Sequence, residues 1–296
     1  MIRNNNSSIL VSGASGFIGN SLVPYLAQSF NVKCLSIRPN SISDINFEGF
    51  STIVHLAGLA HQMSKVDDKK YFIVNRDLTN QFAKSAKLNG IKHFIFVSST
   101  KVYSDQGSYY DESSDCEPSD SYGESKKQAE SLLKDLESDV FKVAIVRPPL
   151  VYGPHVKGNL NRLIELIDNS PLLPLGGIDN KRSMVFVQNL NALIKHIIDN
   201  CFSGTYIAGD QRPYSTTELA NLIKKNLNAS CKMITLPKFI LNVINSLKPA
   251  ISQRLYGSLI FDNSKSNLKI NFTPPFSFES GIKEMTDAYL SKKKIK

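Results

Sequence analysis

The stretch ILVSGASGFIGN (residues 9–20) decides the fold, because an apolar run leads through a glycine-rich turn into a helical pattern. In that setting Gly13 allows a tight turn and Gly16 lets the backbone approach a pyrophosphate, while Gly19 lets the helix pack against the strand. The helix amino terminus would add free N–H groups and a positive dipole. The stretch therefore predicts a dinucleotide site, with contacts from Gly13, Ser15, Gly16, Phe17, Ile18 and Gly19.

Strands and helices alternate beyond this turn. Strand patterns occupy residues 31–37, 52–58, 93–99 and 142–148, and helix patterns occupy Tyr71 to Asn89 and Ser121 to Glu137. This alternation predicts a parallel sheet covered on both faces. After Pro148 the pattern loosens around helices at Leu160 to Asn169 and 215–227. We predict an α/β fold, a Rossmann-like doubly wound parallel sheet with a smaller C-terminal lobe over its carboxyl edge.

Composition narrows the class of protein. The chain has 296 residues, 42% of them hydrophobic and 21% charged, which is typical of a soluble globular protein. No apolar run is long enough for a membrane span, and the amino terminus lacks a signal-peptide core, so we expect a cytoplasmic protein. Four scattered cysteines suggest neither a disulfide framework nor a metal site. The net charge of +9 fits an anionic small molecule, although part of it lies in the tail SKKKIK.

Tyr122 and Lys126 lie four residues apart on a helix pattern, and therefore on one face. A tyrosine is a poor acid–base catalyst at neutral pH unless a neighbouring cation stabilises its phenolate. Upstream, Ser98 and Ser99 end a predicted strand and could hydrogen-bond a substrate oxygen. We expect the lysine to bring the pKa of Tyr122 down toward the working range.

The motifs GASGFIG, VHLAG, SSTKVY, YGESK, RPPLVYGP and RSMVFVQNL follow one another in this order across nearly the whole chain. On these motifs the chain resembles the extended short-chain dehydrogenase/reductase family, which includes NAD-dependent nucleotide-sugar epimerases, dehydratases and ketoreductases. The resemblance implies a dinucleotide-binding core at 1–152, to which 183–209 returns. It implies a nucleotide-sugar-binding lobe at 153–182 and 210–296, and members of the family often form homodimers.

The resemblance also implies residue roles. Tyr122 would exchange the proton, Lys126 would tune Tyr122 and hold the nicotinamide ribose, and Ser99 rather than Ser98 would complete the catalytic set. Further cofactor contacts would come from Leu56, Ala57, Gly58 and Pro149, and substrate contacts from Thr100, Asn159, Arg182 and Arg254. His55 and Asn75 would be structural. No metal, nucleic acid or membrane partner is expected.

The reaction is narrowed by Thr100 and Lys101, which stand where dehydratases of the family have an Asp–Glu pair. Neither can act as a carboxylate, so a dehydratase is disfavoured. The resemblance favours a 4-ketoreductase for a UDP- or dTDP-linked 4-keto-6-deoxyhexose of surface polysaccharides. The alternatives are an NAD-dependent 4-epimerase of a UDP-hexose or UDP-N-acetylhexosamine, a non-catalytic NADP-sensing protein, and an enzyme for a lipid-diphosphate-linked sugar. The last could use the segment PKFILNVINSL (237–247) at a membrane surface.

The cofactor choice depends on the end of the second strand. An acid there would bind the adenosine ribose hydroxyls and favour NAD. This chain has Ser36 and, two residues later, Arg38, a pair that suits a 2′-phosphate. NADP(H) is therefore the favoured cofactor, and NAD(H) is the alternative.

Overall fold

The computed structural model describes residues 8–38, 41–59, 67–237, 239–240, 246–247 and 249–295. Most of the segment 237–247 lies outside these residues. The strands are β1 (Ser8–Ser12), β2 (Asn31–Leu35), β3 (Phe50–His55), β4 (His93–Val97), β5 (Tyr109–Tyr110), β6 (Lys142–Arg147), β7 (Leu150–Tyr152), β8 (Leu172–Gly176), β9 (Met184–Phe186), β10 (Gly204–Ile207), β11 (Lys232–Thr235) and β12 (Ile260–Phe261).

The α-helices are α1 (Phe17–Ala27), α2 (Asp68–Tyr71), α3 (Leu78–Leu88), α4 (Ser121–Leu136), α5 (Asn159–Asn169), α6 (Val187–Asn200) and α7 (Thr216–Leu227), followed by Pro249–Tyr256, Ser264–Ile270 and Phe278–Ile295. A π-helical segment, Phe72–Asp77, joins α2 to α3, and a 3₁₀ turn, Thr100–Val102, follows β4. The helix predicted from Tyr71 to Asn89 is therefore interrupted by the wider π turn.

Six parallel strands form the central sheet in the order β10-β6-β4-β3-β1-β2. β4 is buried along its whole length, as its apolar run HFIFV predicts for a strand covered on both faces. Residues alternate between the faces: Ile9 and Val11 pack with α1 and α6, whereas Leu10 packs with α3 and α4. The predicted doubly wound α/β fold is confirmed.

β2 is the edge strand on one side of β1, and β3 lies on the other side of β1. The direction in which strands are added to the sheet therefore reverses between β1 and β3. The described residues between β2 and β3, 36–38 and 41–49, contain no further strand. Ligands of such sheets bind beyond the carboxyl ends of the strands at the reversal. The turn after β1 and the loop after β3 lie at that point.

The C-terminal part has an apolar core of its own, built by α5, α7, β8 and the helix Phe278–Ile295. Phe186 and Val187 of β9 and α6 also belong to this core, although α6 covers the sheet with its other side. A short pairing of β12 with β5 joins the two parts, and β7 pairs with β9. None of the described helices is long and apolar enough to cross a membrane.

Candidate functional site

The turn after β1 has the steric form of a phosphate cradle. Gly13 has φ +75°, and a Cβ there would lie 2.5 Å from the backbone nitrogen of Ala57. Gly19 is buried, and its Cβ would lie 2.5 Å from the carbonyl oxygens of Gly13 and Ala14. Glycine is therefore required at both positions, at the first for the turn and at the second for the packing of α1.

The amino terminus of α1 is suited to an anion. Gly16 caps it without a side-chain hydrogen bond, and the first turn contains no acidic residue. Ser15 and Gly16 are exposed, and Phe17 and Ile18 are partly exposed. Free N–H groups and the helix dipole thus face a surface that a dinucleotide diphosphate could occupy. The residues predicted for cofactor contact in this stretch lie together in this one turn.

The loop after β3 closes the other side of the cradle. Leu56 N donates to Ser12 O at 3.0 Å, and Gly58 is exposed beyond it. Asn75, fully buried in the π segment, accepts from Leu59 N at 2.7 Å and donates to Leu59 O at 3.1 Å. This side chain also donates to Ser125 Oγ of α4, so it ties the loop to the helix of Tyr122. Its contacts are those of the structural residue that the sequence predicts.

The adenosine end of the predicted dinucleotide site would lie at the edge of the sheet formed by β2. Ser36 and Arg38 follow β2 and both are exposed. Arg38 N donates to Ser41 Oγ at 3.0 Å and Ser41 Oγ donates back to Arg38 O, which closes a small turn. The structure therefore places a hydroxyl and a guanidinium just past the second strand, in the region where NAD-preferring relatives of this fold have an acid.

Tyr122 lies in the first turn of α4 and interacts with Ser99, the N-cap of the 3₁₀ turn. Burial raises the pKa of Tyr122 to about 12, and the hydrogen bond with Ser99 acts in the opposite direction. The Tyr122 ring also meets Tyr71 edge-on, with centroids 5.9 Å apart. Ser98 is buried, and its Oγ has no hydrogen-bond partner among the described residues. Of the two serines, Ser99 is therefore the one that meets Tyr122.

Lys126 is buried between α4, β4 and the loop after β3. Its Nζ donates to Val97 O at 3.1 Å and lies 4.5 Å from the centroid of the Phe96 ring. A Cβ at Gly58 would lie 3.3 Å from this Nζ, so the ammonium is next to the loop predicted to bind the cofactor. Burial lowers the pKa of Lys126 to about 8, while Glu130 acts to raise it.

The expectation that Lys126 lowers the pKa of Tyr122 is wrong for the isolated chain. The influences on the pKa of Tyr122 are burial, Ser99, Asp120 and Tyr71, and burial dominates. The ammonium is instead held by Val97 O and the Phe96 ring. Placement on one helix face put the two side chains near one another, but tertiary hydrogen bonding decided where the charge lies.

Two further predicted residues flank the catalytic set. Thr100 is buried and its N–H donates to Pro148 O at 3.1 Å, which joins the 3₁₀ turn to the chain after β6. Pro149, the residue after Pro148, is also buried. Lys101, the neighbour of Thr100, forms an ion pair with Asp105 at 2.6 Å. Position 101 therefore carries an ammonium group in an ion pair, where a dehydratase of the family would need a carboxylate.

The other predicted substrate contacts, besides Thr100, lie in the second half of the chain. Asn159 is exposed at the first residue of α5. Arg182 Nη1 donates to Gly257 O at 2.9 Å and to Gln253 O at 3.2 Å, so its guanidinium holds the end of the helix Pro249–Tyr256. Arg254 is in that helix, and its side chain lies outside the described residues. The elements that carry Arg182 and Arg254 are thus in direct contact.

Two buried polar networks were missed by sequence reasoning. Arg147 pairs with Glu130 at 2.5 Å and donates to Tyr103 Oη at 2.6 Å. Glu130 lies one helical turn after Lys126 in α4. Asp210 accepts from Tyr152 Oη at 2.8 Å, and from Phe186 N and Asn189 Nδ2. Their partners are far apart in sequence, so nothing in the local pattern signals them.

His55 is packed in the way that the sequence predicts. Its Nδ1 lies 2.6 Å from Ser12 Oγ and its Nε2 lies 2.9 Å from Thr79 Oγ1. Burial, with a smaller effect of Lys126, lowers the pKa of His55 to about 3. The imidazole is therefore a neutral bridge between β1, β3 and α3. Among the described residues no group of three His, Cys, Asp or Glu side chains could hold a metal ion.

The fold and this site define a Rossmann-like short-chain dehydrogenase/reductase. The model of the NAD dependent epimerase/dehydratase family matches residues 9–209, and the chain belongs to that family. It is 32% identical to a UDP-glucose 4-epimerase of Vibrio cholerae, over 96% of this chain and 95% of the relative. It is 27% identical to the N-acetyl-alpha-D-glucosaminyl-diphospho-ditrans,octacis-undecaprenol 4-epimerase of Escherichia coli O157:H7, over 94% and 93%.

Solved structures share the fold. RMD from Pseudomonas aeruginosa, complexed with NADPH, aligns with a TM-score of 0.80 at 19% identity, over 97% of this chain and 98% of that chain. UDP-glucuronic acid 4-epimerase from Bacillus cereus, in complex with NAD, aligns with a TM-score of 0.76 at 18% identity, over 96% and 99%. The chain is an NAD(P)-dependent nucleotide-sugar enzyme of this family.

The residues present fit a nicotinamide dinucleotide. The cradle offers backbone N–H groups without competing acids, and Lys126 supplies a cation beside Gly58. When bound, the nicotinamide group would supply or accept a hydride. Next to it, Tyr122 could donate or accept a proton at a sugar oxygen that Ser99 also hydrogen-bonds.

Proposed function

We propose that this chain is a 4-ketoreductase, which uses NAD(P)H to reduce a nucleotide-activated 4-keto-6-deoxyhexose, linked to UDP or dTDP, for surface polysaccharides. The observation that carries the proposal is the open adenosine end, where β2 is the sheet edge and Ser36 and Arg38 are exposed. A reductase must exchange its cofactor at every turnover, whereas an epimerase regenerates the same NAD. An accessible edge with a guanidinium suits exchange and a 2′-phosphate.

In this reaction Tyr122 donates its proton to the O4 atom as the alkoxide forms, and Ser99 holds the same oxygen. A tyrosine whose pKa is raised by burial stays protonated at neutral pH, which suits the acid in a reduction. Lys126, whose ammonium lies beside Gly58, would hold the cofactor ribose. Asn159, Arg182 and Arg254 bind the diphosphate of the substrate.

The second candidate is a 4-epimerase, which two relatives of almost full-length coverage favour by name. It would use the same proton transfer at O4 twice, once in each direction. One of these relatives acts on a sugar linked through a diphosphate to a lipid, so the carrier is a further question. The same diphosphate contacts would serve either carrier.

The experiment that separates the candidates begins with identification of any dinucleotide that copurifies with the chain. The protein is then assayed with NADPH and NADH against UDP- and dTDP-4-keto-6-deoxyhexoses, and separately with UDP-hexoses and an undecaprenyl-diphosphate-linked N-acetylhexosamine. We expect net NADPH oxidation with a 4-keto sugar. Tightly retained NAD together with hexose interconversion and no net oxidation would overturn the reductase proposal. NADPH left unchanged by every sugar would favour the NADP-sensing alternative.

Tyr122→Phe tests the proton-transfer role. We expect kcat to fall at least about a thousand-fold, while the Kd for the cofactor stays within about two-fold, because only the hydroxyl is removed. Thr79→Val changes a buried hydroxyl outside the catalytic set and is a control for general disturbance of the core. Survival of turnover in Tyr122→Phe would remove Tyr122 from the mechanism.

Arg38→Ala tests the cofactor preference. Loss of an Arg–phosphate contact should raise the KM for NADPH about ten-fold and leave that for NADH nearly unchanged. Lys33→Ala is the matched control, because Lys33 is an exposed cation on the same edge strand. Equal effects of the two substitutions, or none from Arg38→Ala, would contradict recognition of a 2′-phosphate by Arg38.

A further inference from the structure

Lys101 connects the two elements that carry Ser99 and Tyr122. Its N–H donates to Ser99 Oγ at 3.1 Å within the 3₁₀ turn. Its carbonyl oxygen lies directly against Gly123, where any Cβ would overlap it. The residue after Tyr122 is therefore in contact with the residue two positions after Ser99, and α4 approaches the 3₁₀ turn as closely as a glycine permits.

The Lys101 side chain reaches the cap of the same helix. Its Nζ lies 2.6 Å from Asp105 Oδ2 and 3.6 Å from Asp120 Oδ2, and the side chains of Lys101 and Asp120 are 34% and 28% exposed. The other Asp120 oxygen accepts from Gly123 N at 2.7 Å, so this carboxylate caps α4. A cation at Lys101 thus faces the carboxylate that begins the helix of Tyr122.

The N–H of Lys101 also fixes the direction of the Ser99 hydroxyl. Because Ser99 Oγ accepts this hydrogen bond, its own proton is available to donate elsewhere. The hydrogen bond between Ser99 and Tyr122 lowers the pKa of the phenol, as a donor to the phenolate would. Lys101 therefore acts on Tyr122 through Ser99 as well as through Asp120.

Several elements contribute polar or charged groups around Tyr122. Asp120 of the helix cap and Tyr71 of α2 raise its pKa, and Ser99 lowers it. Lys126 of α4 is held at Val97 O, and Asp105 pairs with Lys101. Asp120 is thus the carboxylate whose charge acts on the phenol, and Lys101 is the cation placed against it.

We propose that Lys101 is a positioning residue for proton transfer, which orients Ser99 through its N–H and offsets the charge of Asp120 at Tyr122 through its ammonium. This inference rests on the proposed function, in which Tyr122 exchanges the proton. The proposal assigns a function to the Lys101 ammonium, at a position where dehydratases of the family have a carboxylate.

The test is the pH dependence of kcat/KM for Lys101→Gln and Asp120→Asn, measured at low salt. Without the Lys101 ammonium, the negative charge of Asp120 near Tyr122 is less compensated. The limb of the pH profile that reports the pKa of the Tyr122 phenol should therefore move up by about half a pH unit. Asn keeps the helix cap but removes the charge, so Asp120→Asn should move the limb down. The phenol pKa moves in the same direction whether Tyr122 acts as acid or as base.

The double variant completes the cycle. If Lys101 acts through Asp120, Lys101→Gln should add little once Asp120 is Asn, and the single-variant shifts should shrink at high salt. Lys134→Gln is the matched control, because it removes one positive charge in the last turn of α4, away from Tyr122. If Lys101→Gln folds poorly, Lys101→Arg retains the charge and should keep the wild-type limb.

The outcomes separate the two levels of inference. Turnover by Tyr122→Phe would overturn the proposed function itself. An inactive Tyr122→Phe with an unmoved limb in Lys101→Gln, while Asp120→Asn shifts it, would overturn the role of the Lys101 ammonium alone, because Gln keeps the N–H that binds Ser99. A shift in Lys101→Gln that persists fully in the double variant would overturn the coupling through Asp120.

Discussion

The part of the molecule predicted to bind the dinucleotide and the C-terminal lobe differ in how their predicted sites are built. Around β1, β3 and α4 the site is built from backbone, and Gly13, Gly19 and Gly123 stand where no side chain fits. In the lobe, the predicted substrate contacts are side chains, and Arg182 holds the carbonyls at the end of the helix Pro249–Tyr256. A site built from backbone tolerates little change, whereas a site built from side chains can change by substitution.

The largest expected effect breaks the backbone site. Gly13→Ala would place a methyl group 2.5 Å from the backbone of Ala57 at a residue with φ +75°. Strain and overlap should destabilise the fold by about 3 kcal/mol and abolish dinucleotide binding. Thermal unfolding and calorimetric titration with NADPH and NADH measure both. Gly49→Ala is the control, because it has a similar φ with nothing within 4 Å. Equal losses in the two variants would show that φ alone matters.

A smaller effect is expected in the lobe. Arg182→Lys keeps the charge but cannot make the same set of hydrogen bonds to Gly257 O and Gln253 O. We expect a ten- to thirty-fold rise in KM for the nucleotide sugar, with cofactor affinity unchanged. Arg212→Lys, at an exposed pair with Glu218, is the control. A change in cofactor affinity would contradict a separate substrate role for the lobe.

The last effect is absent at neutral pH and concerns the stability of the sheet in acid. The pKa of His55 is about 3 in the folded chain and near 6.5 when unfolded, so the unfolded state binds more protons between these values. Stability contributed by neutral His55 is complete above pH 6.5 and falls as the pH drops toward 3, by about 1.4 kcal/mol per pH unit. Urea unfolding between pH 7 and 4 measures the slope.

His55→Gln should flatten this acid slope, although it also lowers stability at pH 7 by disturbing the contacts with Ser12 and Thr79. The flattening, rather than the overall loss, is the test. An unchanged slope in His55→Gln would assign the acid sensitivity to other groups, among them His93, whose pKa burial also lowers, to about 4.

The sequence predicted the sheet and the glycine turn because each depends on local features. A strand buried on both faces is a continuous apolar run, and a phosphate turn needs glycines at fixed spacing. Helix spacing indicated Tyr122 and Lys126, the end of a strand indicated Ser98 and Ser99, and the resemblance to the family favoured Ser99. The homodimer and the cytoplasmic location stay predictions.

What local pattern could not supply was the direction of side chains across the fold. Several hydrogen bonds join distant parts of the chain. Lys126 donates to Val97 O, and Asn75 bonds to Leu59 and Ser125. Arg182 donates to Gly257 O. The pKa of Tyr122 depends on burial in the same way, so helix spacing indicated the wrong direction for the isolated chain.

By itself, the sequence determined an α/β dinucleotide fold and a family, because glycine spacing and apolar periodicity act over a few residues. The proton-transfer residues stay a prediction that the resemblance implies. Only the tertiary structure decided that β2 is the open edge of the sheet beside Ser36 and Arg38. It also decided that Lys101 meets Asp120 at the start of α4. These contacts arise where segments far apart in the chain pack together, and their energies depend on burial and distance in three dimensions.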